Sequence, residues 1–250
     1  MNLLIGDIGN TETKICILNE NYKIIKRLNL STKKINNKYF FKKKIFSFLK
    51  KKIITKTALF SSVVPSVFLK IKSNLKRYYK IDCKELKQTK YFKTLKVKVN
   101  KRQIGSDRIA NAIGAFYKYK CNCIIVDFGT ATTFDVINRG IYRGGIIAPG
   151  VNISLNTLVK KAHQIPAFKL KKINNVIGSN TISALRSGFF WGYIGLIENI
   201  LFLIKKQTKK KYKIILTGGF ATLFKNSIKS KVIIDKDITV EGLLHIIKKK

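Results

Sequence analysis

Residues 123–133 read Cys-Ile-Ile-Val-Asp-Phe-Gly-Thr-Ala-Thr-Thr, and this stretch is the strongest single indication of the fold. The run at 123–127, apolar up to Val126, predicts a buried strand. Residues 134–137 predict a second strand, and the polar stretch around Gly129 predicts a tight turn between them. Glycine lets backbone N–H groups approach phosphate oxygens, a hydroxyl adds a donor, and a carboxylate such as Asp127 can hold a cation. A strand that ends in a capped turn would show the same residues, so one copy of this motif is a weak indication.

A second copy of the motif lies near the N-terminus, about 120 residues earlier. Residues 3–5 and 13–18 predict two strands, joined by the turn Asp7-Ile8-Gly9-Asn10-Thr11. A repeated strand, glycine turn and strand indicates two related halves, although two short matches can also arise by chance. Strands and helices alternate elsewhere, which indicates an α/β protein. We therefore predict two domains, residues 1–120 and 121–250, with a helix at 107–118 before the boundary.

A third glycine segment, Leu216-Thr217-Gly218-Gly219, follows the apolar pair Ile214 and Ile215. It predicts a strand that passes into a glycine turn before a helix, where a base or a phosphate can approach the backbone closely. In order and spacing, the three segments resemble the actin-like ATPase fold. That resemblance implies two ribonuclease-H-like domains with the nucleotide site in the cleft between them.

The resemblance becomes specific at Gly105-Ser106-Asp107-Arg108, just before the predicted helix. Together with the two aspartate turns, residues 144–150 (Gly-Gly-Ile-Ile-Ala-Pro-Gly) and the Thr217-Gly218-Gly219 turn, this G-x-D-R element resembles the type III pantothenate kinase family. Similar segments run from residue 3 to about residue 247. The resemblance implies a kinase that transfers the γ-phosphoryl group of ATP to the 4′-hydroxyl of pantothenate, the first step of coenzyme A synthesis. Another sugar or acid kinase of the superfamily is disfavoured by the G-x-D-R element.

The family resemblance also implies roles for individual residues. Asp107 would accept the proton of the substrate hydroxyl or orient that hydroxyl, although Asp is also a common residue at a helix start. Asp127 would bind a monovalent cation, K⁺ or NH₄⁺, and Mg²⁺ would arrive with ATP. The substrate-binding residues would be Gly105, Ser106, Asp107, Arg108, Thr181 and Lys98. The ATP-binding residues would be Asp7, Ile8, Gly9, Asn10, Thr11, Glu12, Thr13, Lys14, Thr130, Gly218 and Gly219.

Two of these assignments have open alternatives. Thr181 precedes a helical stretch, so it fits a helix N-cap as well as a substrate contact. Lys98 stands where the family commonly has a tyrosine, seven residues before the first glycine of G-x-D-R. Either Lys98 meets the pantothenate carboxylate or substrate binding is altered.

The charge of the chain is unusual, with 51 Lys and Arg residues against 12 Asp and Glu residues and a net charge of +39. Such a chain can bind a polyanion, and the family resemblance includes accessory factors for transcription, so an inactive or regulatory relative that binds nucleic acid is the alternative function. Only seven of the basic residues are Arg, the residue preferred for phosphate and base contacts. Because Lys, Ile and Asn share A/T-rich codons, genome composition explains the charge as well, and functional nucleic-acid binding is not expected.

The remaining features predict a cytoplasmic protein that does not enter a membrane. The N-terminus lacks the basic start of a signal peptide, and the apolar run at 189–204 contains Glu198 and Asn199. The four cysteines are too few for a disulfide scaffold and are expected to be buried free thiols. The family resemblance implies a homodimer whose substrate pocket lies near the subunit interface.

Overall fold

The computed structural model describes residues 2–49, 54–162 and 165–248, which form two compact units. The first unit comprises residues 1–120 and 237–250, and the second comprises residues 121–236. The Lys- and Phe-rich sequence at 40–52 has helical spacing and predicts a helix. It is a helix as far as Leu49, and its last residues lie outside the described part of the chain.

The first unit is built on a mixed sheet. The strands of this sheet are β1 (Asn2–Ile8), β2 (Glu12–Leu18), β3 (Ile24–Ser31), β4 (Ile54–Ser62) and β5 (Asp82–Glu85), and the two-residue β6 (Lys96–Val97) lies in the same unit but not in this sheet. Its helices are α1 (Lys38–Leu49), α2 (Pro65–Tyr79), α3 (Ser106–Tyr119) and α7 (Ile238–Lys248), with short 3-10 turns at Thr32–Asn36, Leu86–Gln88 and Tyr91–Lys93. The sheet order is β3-β2-β1-β4-β5, with the first three strands antiparallel and β4 and β5 parallel to β1.

The second unit repeats this connectivity. It contains β7 (Cys123–Phe128), β8 (Ala131–Asn138), β9 (Ile141–Pro149), α4 (Val151–Lys161), α5 (Thr181–Thr208), β10 (Lys213–Gly218), α6 (Ala221–Phe224), a 3-10 turn at Lys225–Ser227 and β11 (Val232–Ile234). Its strands lie in the order β11-β10-β7-β8-β9, with an antiparallel meander of β7, β8 and β9 and with β10 and β11 parallel to β7. The repeated glycine motifs of the sequence therefore lie at equivalent places in two equivalent sheets.

Each unit has its own apolar core. In the first, Leu4, Ile15 and Phe60 of the sheet pack against Phe41 and Ile71 of α1 and α2, and all five are almost fully buried. In the second, Ile124, Phe134 and Leu216 pack with Phe190 and Leu201 of α5. Burial of this many large side chains supplies the main driving force for folding.

The C-terminal helix belongs to a different unit from the one that the predicted domain boundaries give it. Residues 121–250 were expected to form one domain, but α7 packs along α3 in the first unit. A side chain at Gly114 of α3 would collide with the backbone of Ile238, and one at Gly242 of α7 would collide with the backbone of Ala110. These two glycines let the helices approach backbone to backbone, a long-range contact that no local sequence pattern announces.

Helix α5 also differs from the sequence expectation. It runs unbroken for 28 residues through Gly188, Gly192 and Gly195, and it is long and apolar enough to cross a membrane by length and composition. The sequence predicts that the apolar run at 189–204 is too short to cross a membrane, but the helix that contains it is longer than this run. One side of α5, including Phe190, Ile197 and Leu201, packs into the core of the second unit.

Candidate functional site

Three polar residues lie at the carboxyl edge of the first sheet. Asp7 near the end of β1 is the register partner of Ser61 near the end of β4, and Glu85 ends β5. Because β1, β4 and β5 are parallel, their carboxyl ends meet at one edge, where α/β proteins commonly bind ligands. The Ser61 hydroxyl donates a hydrogen bond to Oδ1 of Asp7, which fixes the carboxylate at that edge.

The turn after Asp7 is held by backbone and threonine hydrogen bonds. The Gly9 N–H donates to the Glu12 carbonyl at 2.9 Å. The Thr32 hydroxyl donates to the Gly9 carbonyl at 2.7 Å and lies 3.0 Å from the Thr13 hydroxyl, so the Thr13 hydroxyl donates in turn to Thr32. This short chain of hydroxyls gives the turn a fixed shape before any ligand arrives.

The predicted phosphate-binding residues of this turn separate into two groups. Asn10, Thr11 and Glu12 are exposed, and Asp7, Gly9 and Lys14 are partly exposed. Ile8 and Thr13 are fully buried. These two residues therefore support the shape of the turn and do not face a ligand.

The G-x-D-R element forms the start of α3, with Gly105 as the N-cap. The Ser106 hydroxyl donates to Oε1 of Glu85 at 2.5 Å, and Oε2 of Glu85 accepts the Lys87 N–H at 2.7 Å. Ser106 is almost fully buried. Glu85 thus ties the start of α3 to the same edge of the sheet that carries Asp7.

Asp107 is the acidic residue in the first turn of α3. Its Oδ1 accepts the Arg108 N–H at 2.8 Å, so the carboxylate folds back over the helix start. Burial raises the pKa of Asp107 above its ordinary value of 3.8, while the hydrogen bond from the Arg108 backbone and the charges of Arg108 and Lys87 oppose that rise. A partly desolvated carboxylate with a raised pKa is a better proton acceptor than an ordinary aspartate.

Lys98 and Arg108 bring positive charge to the first unit. Lys98 is exposed and lies in the segment between β6 and α3, and Arg108 is partly exposed one residue beyond Asp107. Arg108 is thus placed on the same helix turn as the acid, whereas Lys98 sits on a loop that precedes the helix.

In the second unit, Asp127 lies between two glycine turns. It pairs with Thr217 of β10, and a side chain at Gly218 would stand 2.7 Å from its Oδ1 and 2.6 Å from the Phe128 carbonyl oxygen. Gly218 also has a φ of +83°, which L side chains rarely adopt, so glycine is required here for both space and conformation. The Gly219 N–H donates to the Phe128 carbonyl at 3.0 Å.

The turn on the other side of Asp127 is also tight. The Gly129 N–H donates to the Ala131 carbonyl at 3.1 Å, and Thr130 is partly exposed between them. Asp127, Thr130, Gly218 and Gly219 therefore lie together at the carboxyl edge of the second sheet. Among the described residues, no group of three or more His, Cys, Asp or Glu side chains is arranged to hold a metal ion.

Thr181 begins α5 but does not cap it. The cap is Asn180, whose Oδ1 accepts the Ser183 N–H at 2.9 Å, while the Ser183 hydroxyl accepts the Asn180 N–H at 3.0 Å. Thr181 is exposed and lines an open cavity of about 890 Å³ together with Pro149, Ser154 and one side of α5. The alternative of a capping threonine is therefore wrong, and Thr181 stands at a mostly apolar cavity.

The structure adds residues that sequence analysis did not assign to the site. Ser61 fixes Asp7, Thr32 fixes the turn after it, and Glu85 fixes the start of α3. Ser61 begins the segment Ser-Ser-Val-Val-Pro at 61–65, which resembles type III pantothenate kinases. This resemblance is the sequence feature that could have pointed to Ser61. Thr32 and Glu85 act through contacts 23 and 21 residues away in sequence, which no local pattern reveals.

Comparisons with known sequences identify the family. A sequence model described as type III pantothenate kinase matches residues 3–202. The type III pantothenate kinase of Pelagibacter ubique is 59% identical over 97% of both chains.

Solved structures show the same fold at lower identity. A Baf family transcriptional activator from Campylobacter jejuni has a TM-score of 0.63 at 23% identity, over 99% of this chain and 98% of that one. The activator of 2-hydroxyisocaproyl-CoA dehydratase from Clostridium difficile, solved with bound ADPNP, has a TM-score of 0.57 at 12% identity, over 100% and 95% of the chains. These neighbours confirm the predicted α/β fold. With the family model covering most of the chain and a relative that matches nearly its full length, this chain belongs to the type III pantothenate kinase family.

Proposed function

We propose that the protein phosphorylates the 4′-hydroxyl of pantothenate with ATP and so begins coenzyme A synthesis. Family membership gives the reaction. The observation that best supports it within the molecule is Asp107, a partly buried carboxylate at the start of α3, which Glu85 and Ser106 tie to the edge of the sheet that carries Asp7.

Asp107 is proposed as the catalytic residue. Its raised pKa and its position in the first helical turn suit it to accept the proton of the substrate hydroxyl, or to orient that hydroxyl for attack. The hydrogen bond from the Arg108 N–H leaves a second carboxylate oxygen for the substrate. Arg108 adds a positive charge beside the reacting groups.

Each unit is proposed to supply one phosphate-binding turn. In the first unit, the residues Asp7 to Lys14 offer backbone N–H groups and exposed polar side chains in a turn preformed by Thr13 and Thr32. In the second, Thr130 offers a partly exposed hydroxyl, and Gly218 and Gly219 leave space beside it. ATP with Mg²⁺ supplies the phosphoryl group and neutralises its charge during transfer.

Asp127 is proposed as the ligand of a monovalent cation, K⁺ or NH₄⁺. The donor set fits such an ion, since a carboxylate lies beside the carbonyl of Phe128 and two glycine turns keep side chains away from it. Oxygen ligands of low total charge suit a weakly held cation.

The pantothenate site is proposed to use Gly105, Arg108, Lys98 and Thr181. Arg108 and Lys98 provide positive charge for the substrate carboxylate, and Thr181 provides a hydroxyl at the mouth of the apolar cavity. Because the Ser106 hydroxyl is engaged by Glu85, Ser106 is proposed to contribute through its backbone.

A homodimer is proposed through α5. Phe202 and Leu203 of this helix are exposed by 59% and 49%, and the space outside Gly188 and Gly192 is open to 4 Å. A second copy would cover this exposed apolar face. The cytoplasmic location stays a prediction, and no specific contact favours nucleic-acid binding as a second function.

The proposed role of Asp107 is tested by comparing Asp107→Asn with Asp82→Asn. Asp82 is at the opposite, amino end of β5 in the same unit, so the control makes the same chemical change away from the site. We expect Asp107→Asn to lower kcat by roughly 10²- to 10⁴-fold with ATP binding retained, and Asp82→Asn to leave kcat unchanged. Unchanged turnover in Asp107→Asn would remove Asp107 from the mechanism.

A further inference from the structure

Two cysteines at the start of β7 lie in contact with each other. The Sγ atoms of Cys121 and Cys123 are 3.9 Å apart, and Cys123 Sγ is 3.4 Å from the Cys121 carbonyl oxygen. Both residues are in the second unit, where Cys121 is its first residue. The sequence predicts four buried cysteines. In the structure Cys16, Cys83 and Cys123 are buried, but Cys121 is exposed.

The backbone between the two cysteines is held firmly. The Asn122 side chain accepts the Arg139 N–H at 2.9 Å and donates to the Lys211 carbonyl at 3.3 Å, and the Asn122 carbonyl accepts the Lys213 N–H at 2.9 Å. These hydrogen bonds fix the backbone that carries the two sulfurs.

The spacing of the pair permits a disulfide. Two residues apart on a strand, Cα atoms lie about 6.7 Å from each other, and side chains point to the same face. Disulfides span Cα distances up to about 6.8 Å. Cys121 lies in a bend just before β7 begins, and its sulfur already lies 3.9 Å from the sulfur of Cys123.

We propose that Cys121 and Cys123 form an oxidisable dithiol, in which the thiolate of the exposed Cys121 attacks a hydroperoxide and Cys123 then closes a disulfide with Cys121. This site lies outside the proposed kinase chemistry and does not depend on it. Oxidation of a thiol follows access and thiolate character, and Cys121 is the exposed thiol among the four.

The reaction balances in two steps. The Cys121 thiolate attacks one peroxide oxygen, the O–O bond breaks, and the departing oxygen leaves as water or alcohol after it takes up a proton, so Cys121 becomes a sulfenic acid. The Cys123 sulfur then attacks the Cys121 sulfur, the S–O bond breaks, and water leaves with the thiol proton. Overall, two thiols lose two hydrogens and one peroxide is reduced.

Burial raises the pKa of Cys123 to about 12, and the neighbouring Cys121 adds to that rise, while Lys213 opposes it. Because a buried thiol that ionises with difficulty is a poor first nucleophile toward peroxide, Cys123 takes the role of the resolving thiol and the exposed Cys121 reacts first.

The test is to treat the full-length protein with hydrogen peroxide, block free thiols with iodoacetamide and digest with trypsin. Both cysteines fall on one tryptic peptide, residues 121–139, so an internal disulfide is read directly as a peptide that lacks two hydrogens and carries no alkyl group. We expect that peptide, and we expect dithiothreitol to restore two alkylatable thiols. Peptides carrying Cys16 and Cys83 should stay alkylated and unoxidised.

Variants separate the two steps. Cys123→Ala should stop at a sulfenic acid on Cys121 that dimedone traps, and Cys121→Ser should leave Cys123 reduced. The surface position of Cys121 makes the second variant safe for folding, and the wild-type digest alone decides the matter if Cys123→Ala fails to fold. Oxidation of Cys121 to sulfinic or sulfonic acid with Cys123 still alkylatable, or oxidation of Cys16 and Cys83 at the same rate, would overturn the proposal.

Discussion

The hydroxyl of Ser61 in β4 donates a hydrogen bond to the carboxylate of Asp7 in β1. Ser61 is fully buried, and the two residues are direct register partners on adjacent parallel strands. The strand pairing therefore sets the orientation of the carboxylate that opens the proposed phosphate turn. Asp7 lies near the end of β1, the central strand of the first sheet. A substitution at Ser61 is therefore expected to change the turn after Asp7, although Ser61 is not part of that turn.

Ser61→Ala is expected to raise the KM for ATP several-fold and to lower the free energy of unfolding by about 1 to 3 kcal/mol, because a buried hydrogen bond to a charged group is lost. Ser66→Ala provides the matched control, since Ser66 is exposed at the start of α2. Steady-state kinetics and thermal unfolding of both variants check this. Equal KM values for ATP in the two variants would show that Ser61 does not position Asp7.

Gly218→Ala and Gly219→Ala make a matched pair in the second unit. A side chain at 218 would collide with Phe128 and Asp127 at a φ of +83°, whereas one at 219 would stand 4.0 Å from the Phe128 carbonyl. We expect Gly218→Ala to cost about 1 to 3 kcal/mol of stability and to weaken activation by K⁺, since Asp127 is displaced.

Gly219→Ala should change the stability and the K⁺ response much less. Denaturant unfolding and a K⁺ titration of turnover measure both effects. If the two variants behave alike, the Asp127 carboxylate does not depend on the space that Gly218 leaves.

The pH dependence of turnover should carry the signature of Asp107. Burial raises the pKa of this carboxyl above 3.8, so kcat/KM is expected to fall with decreasing pH at a higher pH than an ordinary aspartate would give. The positive charge of Lys87 lowers this pKa. Lys87→Met should therefore move the acid limb to higher pH, and Lys84→Met, an exposed lysine of β5, should leave it in place.

The raised pKa of Asp107 also predicts how Asp107→Asn changes the free energy of unfolding. A carboxyl whose pKa is raised by folding favours the folded state below its unfolded pKa, and that contribution is lost as pH rises through the folded pKa. At neutral pH the ionised Asp107 is therefore a cost to folding, so Asp107→Asn is expected to unfold at the same or a higher temperature than the wild type. A lower Tm would mean that its inactivity reflects misfolding.

Thr181→Ala should raise the KM for pantothenate without a loss of stability, because Asn180 and not Thr181 caps α5. Asn180→Ala should show the opposite pattern and lower stability by about 1 kcal/mol, since the Ser183 N–H loses its acceptor. Kinetics with varied pantothenate and thermal unfolding distinguish the two. A stability loss in Thr181→Ala with an unchanged KM would contradict the proposed contact.

Much of the fold was predictable because its signals are local. The strands at β1, β2, β7 and β8, the turns between them and helix α3 all follow from apolar runs broken by glycine. The packing of α7 on α3 was not predictable, since it depends on Gly114 and Gly242 meeting backbones far away in sequence.

The candidate site also contains some residues that the sequence could predict and others that it could not. Asp7, Asp107 and Asp127 stand in recognisable motifs, so sequence alone singled them out. Glu85 and Thr32 did not stand in any motif, because their roles arise from hydrogen bonds made only after the chain has folded. The buried side chain of Thr13 shows the reverse case, in which a motif residue supports the turn instead of facing the ligand.

The most direct test of the account is phosphoryl transfer by the wild-type protein, measured as ADP and 4′-phosphopantothenate formed together in Mg²⁺ buffer with K⁺ or with Na⁺ alone. We predict one ADP for each 4′-phosphopantothenate, no ADP above background without pantothenate, and faster turnover in K⁺. ADP release that does not depend on pantothenate, or no phosphorylated product from folded protein under either cation, would contradict the proposed function.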